Sequence, residues 1–226
     1  MRRVFSLYSA TVGKKIVMAV SGAVFVGFVL GHMVGNLKVF QGADKFNAYA
    51  EGLRTVGAPF FGHGQLLWVA RLILLASLLI HVVSALQLSR RSLAARPVRY
   101  EKSAALEFSR ASRSMRWGGV ALLLFVAYHL AHLTWGLVHP DFIPGDAYHN
   151  LVSGFQSLPV AGVYVLAMGA LGLHLYHGIW SAFQTLGLLS PRALRIRRPL
   201  ATVVALAVVL GNLSFPVAVQ TGLLAL

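Results

Sequence analysis

Residues 117–138 read WGGVALLLFVAYHLAHLTWGLV. These 22 positions contain no Asp, Glu, Lys or Arg, and about 20 apolar residues are enough for a helix to cross the hydrocarbon layer of a bilayer. Working outward, four more uncharged apolar stretches of that kind occur: 16–37, 72–89 (extended across Arg71 by 66–70), one starting near Pro159 inside 150–190, and one within 200–226. The sequence therefore predicts an all-α integral membrane protein with five transmembrane helices, approximately 15–37, 65–90, 115–138, 158–188 and 199–222, in one domain spanning 1–226. Composition agrees, since hydrophobic residues make up 57% and charged residues 12%, against about 25% charged in a soluble domain. Mean hydropathy is +0.71. The first stretch is longer than a secretory apolar core, lacks a clear small-residue cleavage site and ends in polar residues, so it reads as a retained helix.

The chain carries 20 Lys and Arg against 6 Asp and Glu, a formal charge of +14. On a soluble domain that excess would suggest nucleic acid. Here 16 of the 20 lie in three segments: Arg2, Arg3, Lys14 and Lys15 before the first span, residues 90–116 between the second and third, and Arg192 to Arg198 between the fourth and fifth. The positive-inside rule places those segments in the cytoplasm, with the N-terminus inside and the C-terminus outside. The excess thus records topology, and no nucleic-acid partner is expected. Cysteine is absent, which excludes disulfides, thiolate metal sites, protein-ligated iron–sulfur clusters and thioether-linked haem.

Ionisable groups are rare inside spans and mark function when they occur. The first four spans contain His32, His81, His129 with His132, and His174 with His177; the fifth has none. Depth can be counted at about 1.5 Å per residue: His32 lies about 25 Å and His129 about 20 Å from the inner boundary, whereas His81 lies about 14 Å from it and His174 about 22 Å from the outer one. Two layers result, one from the first and third spans and one from the second and fourth. A four-helix core holding two stacked bis-imidazole haems, with a fifth helix beside it, requires this arrangement. Hydrogen bonding between helices is the alternative for any single histidine, and zinc fits less well because no embedded carboxylate or thiolate completes a tetrahedral set. Spacing does not choose between the members of each pair, because residues three apart share a helix face. The second histidines could serve a haem propionate or a quinone carbonyl, or simply fill space. His63, His139 and His149 fall in outer loops, where a solvated surface role is expected. Gly27, Gly31 and Gly35 form a smooth stripe beside His32 that suits either close helix packing or a flat macrocycle. Arg71, near the outer end of the second span, suits a haem propionate or the headgroups.

The runs Gly13-Lys14-Lys15, Gly31-His32-Met33-Val34-Gly35-Asn36-Leu37, Phe46-Asn47-Ala48-Tyr49-Ala50, Leu79-Ile80-His81 and His174-Leu175-Tyr176-His177-Gly178-Ile179-Trp180-Ser181 resemble the cytochrome b subunit of succinate dehydrogenase. More narrowly, the chain resembles the single-chain, five-helix, dihaem membrane anchor of bacterial succinate:quinone and fumarate reductases. The resemblance implies axial ligation by His32 with His129 at an outer haem and by His81 with His174 at an inner one. It also implies a bacterial cytoplasmic-membrane complex in the tricarboxylic acid cycle, in which a flavoprotein with covalent FAD oxidises succinate and an iron–sulfur subunit passes electrons to this chain and on to a quinone, commonly menaquinone. No dicarboxylate site is expected on the chain. Propionate or quinone candidates are Arg71, Lys38, Glu51 and His132 on the outer side, and Ser84, Gln87, His177 and Trp180 on the inner side. Some dihaem relatives carry a buried glutamate in the fourth helix; the spans here have no Asp or Glu, and Gly172 stands where one would be sought. A cytochrome b of another membrane dehydrogenase, or a histidine-bearing ion transporter, are the competing readings.

Overall fold

The structure, a computed structural model, describes residues 8–95 and 109–226, without side chains for 109–114. Arg2, Arg3, Arg96, Arg99 and Lys102 of the basic segments lie outside the described residues. Helix α1 (Thr11–Asn36) runs into a 3-10 turn, Leu37–Gln41, and is followed by α2 (Ala43–Thr55) and α3 (Gln65–Ala94). Then come α4 (Ser109–His129) with a π-helical turn at Leu130–Thr134, α5 (Ala147–Gln156), α6 (Leu158–Thr185) and α7 (Pro191–Gln220). No strand occurs among the described residues. Among the described residues, five segments are long and apolar enough to cross a membrane: Thr11–Gln41, Gln65–Ala94, Met115–Thr134, Leu158–Thr185 and Pro191–Gln220. The five-span all-α expectation is met, and the chain is a multi-pass membrane protein.

Local chemistry sets the helix ends. Proline stands in the first turn of both α6 and α7, where its missing N–H is no loss, and Ser190 Oγ caps α7 by accepting from Ala193 N at 3.2 Å. Helix α7 begins ahead of the apolar run because the proline and serine start it there, and its first turns carry Arg192, Arg195, Arg197 and Arg198. The third span stops short of residue 138. After the π turn, Trp135 N donates to Leu130 O and Leu137 N to Ala131 O, and Gly136 takes a φ of +69°, where a Cβ would press into the Phe142 ring. That reversal folds the following loop back over the bundle.

Four of the long helices enclose the core in the order α3, α1, α6, α4, each packed on the next, while α3 and α4 make little direct contact. Helix α7 lies outside this ring against α6, with a smaller contact to α1. The α6–α7 seam depends on Gly172, whose Cβ, if present, would lie 2.6 Å from Val209 Cγ2. Leu175, Ala205 and Val208 are buried along the same seam. The basic residues Lys14, Arg91, Arg116 and Arg197 gather at one end of the bundle, where Arg91 Nη1 donates to Thr11 Oγ1 at 3.4 Å.

The opposite end is capped by α2 and α5. Asn47 Nδ2 donates to Asp146 Oδ1 at 2.9 Å, and Tyr148 N donates to Asn47 Oδ1 at 2.9 Å. Asp146 also caps α5 by accepting from His149 N at 2.9 Å. A larger apolar cluster containing Val39, Phe46, Val152, Phe155, Tyr164 and Phe215 lies beneath this cap. Asp146→Ala removes the cap and the clamp together, and is expected to destabilise the α2–α5 region by about 1–2 kcal/mol, read as faster amide exchange in α5. The backbone N–H of His149, then the Asn47 amide, holds the Asp146 carboxyl below its ordinary value. Its contribution is therefore complete above the unfolded-state value, 3.8, and is lost as pH falls through the lowered folded value. Acid should loosen the cap of the parent more than that of Asp146→Ala.

Candidate functional site

Histidines meet across both diagonals of the α3–α1–α6–α4 ring. His32 of α1 faces His129 of α4 with ring centroids 5.9 Å apart and planes at 87°. His81 of α3 faces His174 of α6 with centroids 6.3 Å apart and planes at 53°. His32 and His129 are thus in contact with each other, as are His81 and His174. Neighbouring aromatics line them: Phe28 stacks on His32 at 5.3 Å, Phe25 meets His81 edge-on at 5.9 Å, and Phe125 lies 5.9 Å from His129.

Hydroxyls fix two of these rings from behind. Ser21 Oγ lies 3.1 Å from His81 Nδ1. Its proton goes to backbone oxygens, Val17 O at 2.8 Å or Met18 O at 3.1 Å. A serine hydroxyl has one proton, so toward His81 it accepts, Nδ1 carries the hydrogen, and Nε2 keeps its lone pair. Tyr164 Oη lies 3.2 Å from His129 Nδ1. On the remaining rings, His174 Nδ1 is buried without a hydrogen-bond partner, and His32 Nε2 accepts from Asn36 Nδ2 at 3.1 Å.

Space beside the pairs comes from small residues. A Cβ added at Gly22 would contact His81 at 3.6 Å and one at Gly119 would contact His174 at 3.9 Å, while Gly27, Gly31 and Gly118 have no other group within 4 Å of that point. Of the α1 stripe only Gly35 is a packing glycine, because the Tyr49 side chain occupies the position its Cβ would take. A cavity of about 190 Å³ opens beside His174 between α4 and α6, lined by Met115, Trp117, Gly118, Ala170, Leu173 and His174. Among the described residues no three His, Cys, Asp or Glu converge as a metal-ion cage.

The second histidines occupy different surroundings. His132 is 1% exposed, with Nδ1 3.0 Å from Tyr164 Oη and its ring stacked on His139 at 4.8 Å. His139 is not the solvated loop residue expected from sequence. It is 6% exposed, donates through Nε2 to Asn150 O at 2.9 Å and accepts through Nδ1 from Asp141 N at 3.2 Å, because the Gly136 reversal turns it inward. His149, expected to be solvated too, is half-buried and pairs with Asp141 at 2.8 Å. His63 is exposed as expected. His177 sits edge-on to Trp180 at 5.3 Å, with Nδ1 unpartnered. Arg197 and Arg198 of α7 lie over that indole at 5.8 and 6.0 Å.

Ser84 is fully buried and its Oγ has no hydrogen-bond partner. Gln87 accepts from Lys14 Nζ, whose ammonium also lies 3.9 Å from the Tyr8 ring centroid. Lys14 is 5% exposed, so this residue, read from sequence as a topology marker, is part of the basic-end packing. At the capped end the candidates are dispersed. Arg71 is exposed and stacks on Trp68 at 4.9 Å, and Lys38 lies 5.6 Å from the Tyr49 ring. Glu51 pairs with His63 at 3.0 Å and Arg54 at 3.2 Å, and the His63 hydrogen bond leads in holding its carboxyl below the ordinary value. Sequence reasoning missed Ser21, Tyr164 and His139. Each is brought to its histidine by tertiary packing, and no spacing motif marks it.

These features define a five-span helical membrane protein whose core is organised by two diagonal histidine pairs. Residues 96–212, just over half of the chain, match the succinate dehydrogenase/fumarate reductase transmembrane subunit family, and the chain belongs to that family. The matched segment contains His129, His132, His174 and His177 but not His32 or His81. No curated protein and no solved structure matches the chain.

Proposed function

We propose that the chain is the dihaem cytochrome b anchor of a succinate:quinone oxidoreductase, with His32 and His129 ligating one b-type haem and His81 and His174 the other. The carrying observation is the pair of diagonal imidazole contacts. With ring centroids 5.9 and 6.3 Å apart, each pair presents two imidazoles that would hold one haem iron between them. The hydroxyls at Nδ1 of His81 and His129 support the same reading, since a ligating histidine is oriented by a partner on its other nitrogen. The open flanks of Gly22, Gly27, Gly31 and Gly119 suit a flat macrocycle. His32 would ligate through Nε2 by releasing its bond from Asn36.

Bound haem supplies a one-electron carrier at each layer. The protein's part would be to present four neutral imidazoles in two layers and keep them among Phe25, Phe28 and Phe125. The basic end is cytoplasmic by the positive-inside rule and receives the iron–sulfur subunit, itself fed by a flavoprotein carrying FAD, in a bacterial cytoplasmic membrane. His177, Trp180, Ser84 and Gln87 at that end are the quinone candidates there, with Ser84 Oγ and His177 Nδ1 buried and free of hydrogen-bond partners, and menaquinone is the proposed acceptor. A pyridine haemochrome assay on the purified complex should give two haems per chain. Haem-free complex with full quinone reductase activity would refute the proposal.

A further inference from the structure

Tyr164 joins two histidines that the family match does not distinguish. Its hydroxyl lies 3.2 Å from His129 Nδ1 and 3.0 Å from His132 Nδ1. A phenol has a single proton to give. It therefore donates to one of these nitrogens and accepts from the other. If the proton pointed at His129, that ring would carry its own hydrogen on Nε2, the nitrogen that must stay bare to hold a metal. The reverse order leaves His129 Nε2 bare: His129 Nδ1–H donates to Tyr164, and Tyr164 O–H donates to His132 Nδ1.

His132 is suited to be that terminal acceptor. It is buried and stacked at 4.8 Å, with planes within 15°, on His139. The tautomer of His139 is fixed in turn by accepting from Asp141 N and donating to Asn150 O. Gly154 makes room, since a Cβ there would approach His132 and His139 to within 2.8 and 3.1 Å. The side chain cannot tip away without leaving this slot.

We infer that Tyr164 is the positioning residue of the His32/His129 pair and that His132, through Tyr164, fixes the proton order that leaves His129 Nε2 free; neither is a ligand. The inference rests on the haem reading above. A hydrogen-bond acceptor at Nδ1–H makes an imidazole a more basic ligand and favours oxidised iron, so its loss should raise the midpoint potential. Ser21 holds the equivalent place behind His81 and gives an internal control.

The test is a redox titration and low-spin EPR spectrum of the intact complex carrying Tyr164→Phe, Ser21→Ala, His132→Leu or His132→Asn. Haem content is measured first on the parent; a parent without haem refutes the proposed function and the inference with it, whereas the midpoints below test the inference alone. With two haems bound, Tyr164→Phe should raise the midpoint of the haem that His129→Ala removes and leave the other unchanged, and Ser21→Ala should do the converse. His132→Leu should shift the same haem as Tyr164→Phe. His132→Asn, whose Oδ1 can accept from Tyr164, should restore the parent value. Unmoved midpoints and g values in Tyr164→Phe would overturn the inference. If that variant does not assemble, equal midpoints in His132→Leu and His132→Asn would overturn it instead.

Discussion

His174→Ala is expected to remove one of two haems, halving the haem-to-protein ratio and the reduced-minus-oxidised α-band of the complex, while His177→Ala retains both. His174 faces His81 across the ring diagonal, whereas His177, one turn nearer the basic end, is engaged with Trp180. An axial position vacated by alanine leaves a single imidazole, and alanine offers no replacement donor. The same contrast is expected on α4, where His129→Ala loses a haem and His132→Ala keeps it with altered potential. Retention of both haems in His174→Ala, or loss of one in His177→Ala, would reverse the ligand assignment. Electron delivery to quinone at the basic end should fall in His174→Ala, because the layer of His81 and His174 is the nearer one to that end. Succinate oxidation by the soluble subunits with an artificial acceptor should persist.

Gly172→Leu is expected to disrupt the α6–α7 seam, lowering the yield of folded protein and the melting temperature of the complex. The added Cβ would sit 2.6 Å from Val209 Cγ2, and Val209 is β-branched, with little freedom to turn aside. Overpacking of this kind costs about 1–3 kcal/mol, with the larger end expected for leucine. Val209→Ala should recover much of the loss in Gly172→Ala, a coupling that a double-mutant cycle measures. Independent, additive effects would show that the two residues do not share the seam. The same contact bears on proton movement: position 172 faces α7, so a carboxyl there would lie in a helix seam and not between the histidine layers.

The five spans and the histidine layers were legible because both follow from one-dimensional arithmetic. Burial in lipid demands long uncharged helices, and a fixed rise per residue turns position into depth. Layers shared by the first and third spans and by the second and fourth were accessible for that reason, whereas spacing did not choose between the two histidines of each pair. The Gly27–Gly31–Gly35 stripe was ambiguous, since small residues serve packing and cofactor clearance alike; the fold divides the stripe, giving Gly35 to Tyr49 and leaving the other two open. Lys14 carried a topology signal that hid its place in the packing against Gln87 and Tyr8. His139 looked solvated because it follows a span and precedes a Pro and an Asp, and only the reversal at Gly136 sends it inward.

The sequence by itself determined that the chain has five apolar spans and that histidine is the recurrent ionisable residue within them. Tertiary structure alone decided which atoms stand behind those histidines. Ser21 and His81 are separated by 60 residues, and Tyr164 by 35 from His129 and 32 from His132. Such contacts depend on ångström-scale placement across helices, which helical periodicity does not encode, so the hydrogen-bond partners of those histidines are a property of the packed bundle.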